Sequence, residues 1–287
     1  MLTEARVSFE RILIVGCGYT GSRLAKLAED AGIEVVATKR QWEAEQPFQT
    51  VAWDVAAGDS LATWMNPRTV VVWSVPTLPN LGDHLAPLRA TLADAVRERV
   101  AGFVYVSSTS VYGNQDGRQV DESSSCQPSS PAGVMRLESE NLVRTSAPRG
   151  VVVRPAGIYG PGRDLAMLIE SGRYEVVNPD KITNRIHVHD LASALLFAAV
   201  HGSAGAVFNA ADGNPARVGD VVDFLVERYG LTPPPSTTLE EYRRRKGEDA
   251  AARWTNEYAI VPAALVAGGF TFAYPDIFTA YRTGSIR

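Results

Sequence analysis

Three glycines, spaced Gly16-Cys17-Gly18-Tyr19-Thr20-Gly21, close the apolar run Arg11-Ile-Leu-Ile-Val15 and open a stretch with apolar residues at Leu24, Leu27, Ala28 and Ala31. Strand, tight loop and helix in that order make an anion site, because a helix start presents N–H donors and a partial positive charge. The first glycine serves the turn, the second the approach of a pyrophosphate and the third the packing of helix on strand. Gly16, Gly18 and Gly21 are therefore assigned to a dinucleotide, with Tyr19 and Thr20 between them. An ordinary strand-to-helix turn is the alternative, and the second run, Glu34 to Thr38, standing in its proper place argues against it. That run continues into Lys39 and Arg40. A site for NAD puts a carboxylate there to hold the ribose hydroxyls, whereas two cations suit a 2′-phosphate, which arginine grips through paired hydrogen bonds. NADP is the expected coenzyme and NAD the second choice; a plain surface turn is the reading in which neither cation binds anything. Asp54, past the third apolar run, is counted with the coenzyme residues.

Further along, His187-Val-His189-Asp190 puts two imidazoles on one strand face. No third ligand accompanies them, so a strand end followed by an aspartate capping a helix from Leu191 is preferred, and no metal is expected. Cys17 reads as a small buried residue rather than a reactive thiol. Arg163 and Arg185 are candidates for gripping a phosphorylated or carboxylated substrate.

These groups need a frame. Continuous apolar runs at Arg11 to Val15, Glu34 to Thr38, Val51 to Trp53, Thr69 to Ser74, Gly102 to Ser107 and Val151 to Arg154 alternate with helical patterns, the clearest at Leu85 to Val100 and Met135 to Arg144. Strands without polar alternation imply a parallel sheet covered on both faces. The expected fold is α/β, a Rossmann-type doubly wound parallel sheet in residues 1–155, completed by segments near 183–210. A smaller, discontinuous substrate-binding region is expected in 156–287, with helices at Asp190 to His201 and Val218 to Tyr229 and a solvated basic one at Glu240 to Lys246.

Composition narrows the function. A net charge of −4 gives no electrostatic case for nucleic acid or an anionic membrane surface. The apolar runs Leu191 to Val200 and Ile260 to Phe270 are shorter than the ~18 residues a membrane span needs. Acids near the N-terminus replace the basic start of a signal peptide, and two distant cysteines, Cys17 and Cys126, make no disulfide framework, so a cytoplasmic location is expected.

The segments Phe103-Val-Tyr-Val-Ser-Ser-Thr-Ser-Val-Tyr-Gly113, Arg154-Pro-Ala-Gly-Ile-Tyr-Gly-Pro-Gly-Arg163, Ile186-His-Val-His-Asp-Leu-Ala192 and Val207-Phe-Asn-Ala-Ala-Asp212 resemble, in order and spacing, the extended short-chain dehydrogenase/reductases of the NAD-dependent epimerase/dehydratase family. The resemblance implies that Ser108, four residues before Tyr112, hydrogen-bonds the reacting oxygen. It also implies a tyrosine that moves the proton and a lysine four residues later that lowers its pKa and holds the nicotinamide ribose. Leu137 and Glu140 set the register of that helix, which puts Ala132 in the tyrosine place and Arg136 in the lysine place. No tyrosine lies between Tyr112 and Tyr159, and no lysine between Lys39 and Lys181, so no shift of register restores the pair. Alanine has no proton to give, and arginine stays charged and outside any proton relay, though Arg136 can still hold ribose hydroxyls.

Tyr112, Tyr159 and His187 lie in segments that the resemblance places near the cleft. Each is a candidate replacement acid, and each has a bland alternative: packing under the turn, bracing a glycine loop, or pointing into a strand interface. The family's nucleotide-sugar enzymes carry an arginine where Thr183 stands; Arg185 is two residues on. The expected substrate is a small molecule, a nucleotide sugar or another anionic metabolite, and the expected assembly a homodimer. The leading function is an atypical NAD(P)-binding oxidoreductase or epimerase/dehydratase-like enzyme; the rival is a non-catalytic NADP-binding sensor or regulatory protein.

Overall fold

The structure is a computed structural model that describes residues 9–42 and 44–286, without the side chains at 249 and 252. Most of the acidic start read above, residues 1–8, lies outside the described residues.

The chain runs through β1 (Arg11–Val15), α1 (Tyr19–Asp30), β2 (Glu34–Lys39), β3 (Gln49–Ala52), β4 (Thr69–Trp73), α2 (Ala86–Arg97), β5 (Gly102–Val106) and α3 (Pro131–Ser146). Strands Gly150–Pro155 and Val207–Ala210 complete a seven-stranded sheet in the order Val207–Ala210, Gly150–Pro155, β5, β4, β1, β2, β3. Every residue of β4 and β5 is buried, as β-branched and aromatic runs covered on both faces must be, while the more polar β3 forms an edge. This is the doubly wound parallel sheet that the sequence implies.

Register decides where the chemistry sits. Val15 lies opposite Thr38 on one side and Trp73 on the other, so three strands end at one level. Ser74 N donates to Val15 O at 2.8 Å and Cys17 N to Thr38 O at 2.7 Å, carrying the ladder past the strand ends into the glycine loop. From β1 the chain builds β2 and β3 to one side, then crosses to build β4 and β5 on the other. A ligand crevice opens at such a reversal. Beneath it, Leu13, Val15, Val36, Val71, Trp73 and Phe103 pack with Leu88 and Leu92 in one apolar cluster, where Trp53 meets Trp73 edge-on at 6.2 Å between centroids.

Contacts divide the chain into two compact units. The first comprises the described residues up to Ser107 with Met135–Arg154 and Leu191–Phe208; the second comprises Ser108–Val134, Pro155–Asp190 and the described residues from Asn209 onward. In the second unit, Gly157–Tyr159 pairs parallel with Arg185–His187. Tyr159, Leu165, Val221, Leu225, Trp254 and Tyr281 belong to its own apolar cluster.

One reading changes. The helix expected from Leu191 with Asp190 as its cap begins at Val188. Asp190 sits in its first turn and accepts hydrogen bonds from Ala273 N and Tyr274 N, both at 2.9 Å, so its carboxylate clamps a distant loop instead. The apolar run Ile260 to Phe270 is no single element. Ala259–Ile260 pairs with Gln119–Val120, Pro262 opens the short helix Ala263–Ala267, and Gly268 and Gly269 (φ 83°) end it.

Candidate functional site

In the first unit the glycine loop borders a cavity of about 500 Å³ lined by Gly16, Gly18, Thr38, Lys39, Arg40, Trp53, Asp54, Ser74 and Val75, among others. Gly16 has φ 88°, and a Cβ there would stand 3.0 Å from Val75 N, so only glycine takes this turn without strain. A Cβ on Gly21 would meet Ile14 Cγ2 at 3.2 Å, the close helix-on-strand packing that the motif requires. Around the Cβ position of Gly18 nothing lies within 4 Å, which leaves the backbone open to a ligand. Gly18 also precedes α1 without any side-chain cap, so the first-turn N–H groups of the helix keep their donor capacity. The loop is held in place by Thr38, whose Oγ1 accepts from Gly16 N at 3.1 Å. These features fit the pyrophosphate of a dinucleotide.

Lys39 is partly buried and Arg40 exposed, both at the cavity wall. Lys39 Nζ stands 6.0 Å from the Trp42 ring centroid. Asp54 is exposed and accepts from Ala56 N at 3.0 Å. Thr20 is buried in the first turn of α1, and Tyr19 has the Arg23 guanidinium 4.1 Å from its ring centroid. Cys17 is buried, and that burial pushes its thiol up to about 11 against the opposing pull of Lys39. A thiol that stays protonated is a packing residue, not a nucleophile.

Also in the first unit, Arg136 projects from α3 to the end of β5, where Nη1 donates to Val106 O at 2.7 Å and to Tyr105 Oη at 3.4 Å. Beside it lies a network that reading for chemistry missed. Ser107 Oγ donates to Glu140 Oε1 at 2.5 Å, and Arg154 donates through Nε and Nη2 to both oxygens of the same carboxylate, at 2.7 Å for the shortest. Ser107, Glu140 and Arg154 are all buried. The signal was available: an acid and an arginine inside otherwise apolar elements stay charged only when paired.

In the second unit Ser108 is the cap of the turn Thr109–Tyr112, its Oγ accepting from Ser110 N at 3.1 Å. Tyr112 is fully buried, with its hydroxyl 2.9 Å from Asp121 O and 2.8 Å from Asn209 Oδ1, two acceptors for one proton. Ala132 is half-buried in the first turn of α3, where Ser130 Oγ accepts from Gly133 N.

Tyr159 and His187 are register partners whose rings meet edge-on at 5.3 Å between centroids. His187 Nδ1 accepts from His189 N at 3.2 Å, and its ring lies 3.9 Å from that of Tyr274. Burial, then Asp212 and Asp190, raises the Tyr159 phenol far above its ordinary value. Arg185 is partly buried in the same two-stranded sheet, and Arg163 is exposed in the glycine-rich turn that Gly160 closes. Asp212, at the end of a motif quoted above, was given no role from the sequence; burial pushes its carboxyl up to about 7.

Sheet order, glycine loop and cavity define a Rossmann-type dinucleotide-binding protein. The model of the NAD dependent epimerase/dehydratase family matches residues 12–211, and the chain belongs to that family. It is similar to GDP-6-deoxy-D-mannose reductase of Pseudomonas aeruginosa, 29% identical over 173 residues that cover 52% of this chain and 57% of the reductase, just over half the relative's length. A structure of an NAD-dependent epimerase/dehydratase from Methylobacillus flagellatus is 26% identical with a TM-score of 0.77, covering 96% of this chain and 97% of the other. Human epimerase family protein SDR39U1, solved with NADPH, shares the fold at 18% identity and a TM-score of 0.78, covering 95% of this chain and 98% of that one.

Proposed function

We propose that the chain is an NADP-dependent oxidoreductase or epimerase/dehydratase-type enzyme whose usual tyrosine and lysine are replaced by Ala132 and Arg136. The observation that carries this reading is the cavity in the first unit, where an open glycine loop faces Lys39 and Arg40 at the end of β2. Gly16, Gly18 and Gly21, with Tyr19 and Thr20, are assigned to the pyrophosphate. Lys39 and Arg40 are assigned to the 2′-phosphate, Asp54 to the adenosine side and Arg136 to the ribose of the nicotinamide half. When bound, the coenzyme supplies or accepts a hydride; the chain's own residues bind it, orient it and manage the proton.

For the proton, Ser108 remains the candidate that touches the reacting oxygen. Tyr112 has its hydroxyl engaged by two acceptors, and Tyr159 holds its proton through burial, so neither supplies a readily exchangeable one at neutral pH. The substrate is taken to be a small anionic metabolite, a nucleotide sugar among the choices, held in the second unit by Tyr159, Arg163, Arg185 and His187. The name of the Pseudomonas aeruginosa relative supports the nucleotide-sugar choice. The setting is taken to be the cytoplasm; among the described residues no helix is long and apolar enough to cross a membrane.

A specific observation favours the second reading, a coenzyme-binding sensor. Ala132 has no exchangeable proton, and Arg136 is committed to the end of β5. Calorimetric titration with NADPH and NADH tests the shared part of both readings, and steady-state oxidation of NADPH with ketones and nucleotide sugars separates them. Coenzyme binding with no turnover on any of these favours the sensor, and tighter binding of NADH than NADPH overturns the NADP assignment.

A further inference from the structure

In the second unit, Tyr159 Oη, Arg185 Nε and Asp212 Oδ2 are among the buried polar atoms that find no hydrogen-bond partner among the described residues. They are neighbours. Arg185 is felt electrostatically by Tyr174, Tyr281, Asp212 and Tyr159, and Asp212 N donates to Arg185 O at 2.9 Å. Unsatisfied buried polar groups are uncommon, and several in one place call for a missing partner.

The chemistry of that partner follows from each atom. A guanidinium offers donors only, and burial works against its charge, so Arg185 lacks a negatively charged acceptor. Among the described residues no carboxylate forms an ion pair with it. Asp212, whose backbone N donates to Arg185 O, makes none. Its Oδ1 is instead turned to its own loop and accepts from Asn214 N at 3.0 Å, leaving Oδ2 to face a donor. Tyr159 Oη gives or accepts one hydrogen bond more.

An approach exists as well. Arg185 lies opposite Gly157 and His187 opposite Tyr159 in the parallel pair, so these positions share one face. Gly157 is exposed and Arg185 only partly buried, so this face is not sealed from solvent.

We infer that Arg185, Asp212 and Tyr159 form a subsite, inside the second unit, for a small ligand with an oxyanion next to a hydroxyl. Arg185 takes the oxyanion, carboxylate or phosphate, and Asp212 Oδ2 and Tyr159 Oη share the hydroxyl. The assignment rests on the reading of the second unit as the substrate-binding region and names the substrate class that it would take. Asp212 faces Arg185, Asp190 and Asp276 as its charged neighbours. A ligand hydroxyl donating to Oδ2 adds a partner that favours its ionised form.

The test is calorimetric titration of the full chain with glycolate, acetate, glycerol 1-phosphate and inorganic phosphate. It is run on the wild type, on Arg185→Met, on Tyr159→Phe and on the double variant Lys39→Ala with Arg40→Ala, which weakens any competing anion site in the first unit. Glycolate is expected to bind more tightly than acetate, or glycerol 1-phosphate more tightly than inorganic phosphate, and the pair that shows the effect tells a carboxylate from a phosphate. Binding should fall at least tenfold in Arg185→Met and stay unchanged in the double variant. Tyr159→Phe should keep its thermal stability while the preference for the hydroxylated ligand narrows.

Without ligand, Arg185→Met should melt at or above the wild-type temperature, because it removes a buried charge that has no partner. A fall of several degrees in that variant would identify Arg185 as part of a structural ion pair and overturn the subsite. So would undiminished anion binding in Arg185→Met, or no binding of any probe at millimolar concentration by the wild type. NADPH titrated into the same samples reports separately on the coenzyme reading, since none of these second-unit changes touches the glycine loop.

Discussion

Arg136 donates to the carbonyl oxygen of Val106, tying α3 to the last residue of β5. A guanidinium fixed in this way is a permanent charge. It can hold hydroxyl groups, and it cannot pass a proton.

Restoring the family pair therefore tests whether one substitution removed catalysis from an otherwise intact site. Ala132→Tyr combined with Arg136→Lys is expected to give no NADPH oxidation above background on ketones or nucleotide sugars, because activity belongs to the whole site. Steady-state kinetics with the double variant is the measurement. Turnover with unchanged NADPH affinity would show that Ser108 still positions a carbonyl.

Lys39 and Arg40 stand at the wall of the cavity beside the glycine loop. Replacing Arg40 by alanine should weaken NADPH by ~1.5 to 3 kcal/mol, the scale of a hydrogen bond to a charged group, and leave NADH unchanged. Parallel titrations with the two coenzymes decide it. An equal loss for both would place Arg40 away from the 2′-phosphate.

Glu140 is buried and bonded to Ser107 and Arg154. Glu140→Gln leaves the Arg154 charge without its counterion and should cost ~3 to 5 kcal/mol, the usual price of breaking a buried pair from one side. Urea unfolding monitored by tryptophan fluorescence measures it. Glu138→Gln, on the exposed side of α3, is the control and should stay within ~1 kcal/mol despite losing the His84 contact at 2.9 Å.

The Asp212 carboxyl titrates near 3.8 when unfolded and near 7 when folded, with burial as the main cause. Between those values the folded chain holds a proton that the unfolded chain has lost. The contribution is full below the lower value and disappears as pH rises toward the upper one, on the order of 4 kcal/mol in all. Asp190, which burial also raises, acts in the same direction. Asp212→Asn should flatten part of the fall in melting temperature between pH 4 and 7; an unchanged profile would show that Asp212 is ionised in the folded protein throughout.

Much of the first unit was legible because burial on both faces leaves an unmistakable run, as in Thr69–Trp73 and Gly102–Val106, and because a glycine with φ 88° cannot be disguised as another residue. The placing of Ala132 and Arg136 in the tyrosine and lysine positions rests on the resemblance, with Leu137 and Glu140 setting the phase of one helix. What escaped depends on distance in sequence. Nothing near Asp190 announces that its carboxylate clamps Ala273 and Tyr274, and nothing near Asp212 announces an arginine whose Nε has no hydrogen-bond partner among the described residues. The helix Leu239–Lys246 carries a weak apolar pattern, because it buries only Tyr242.

The Ser107, Glu140 and Arg154 network also bears on how the chain reaches its fold. Its members come from the end of β5, from α3 and from strand Gly150–Pro155, and the carboxylate loses water only when all three segments close around it. Until Arg154 arrives, burying Glu140 is uphill, so the network belongs to the late, native side of the folding barrier rather than to its nucleus. Weakening it should then speed unfolding while leaving the refolding rate nearly untouched, which makes this buried trio a clasp on the lifetime of the folded state.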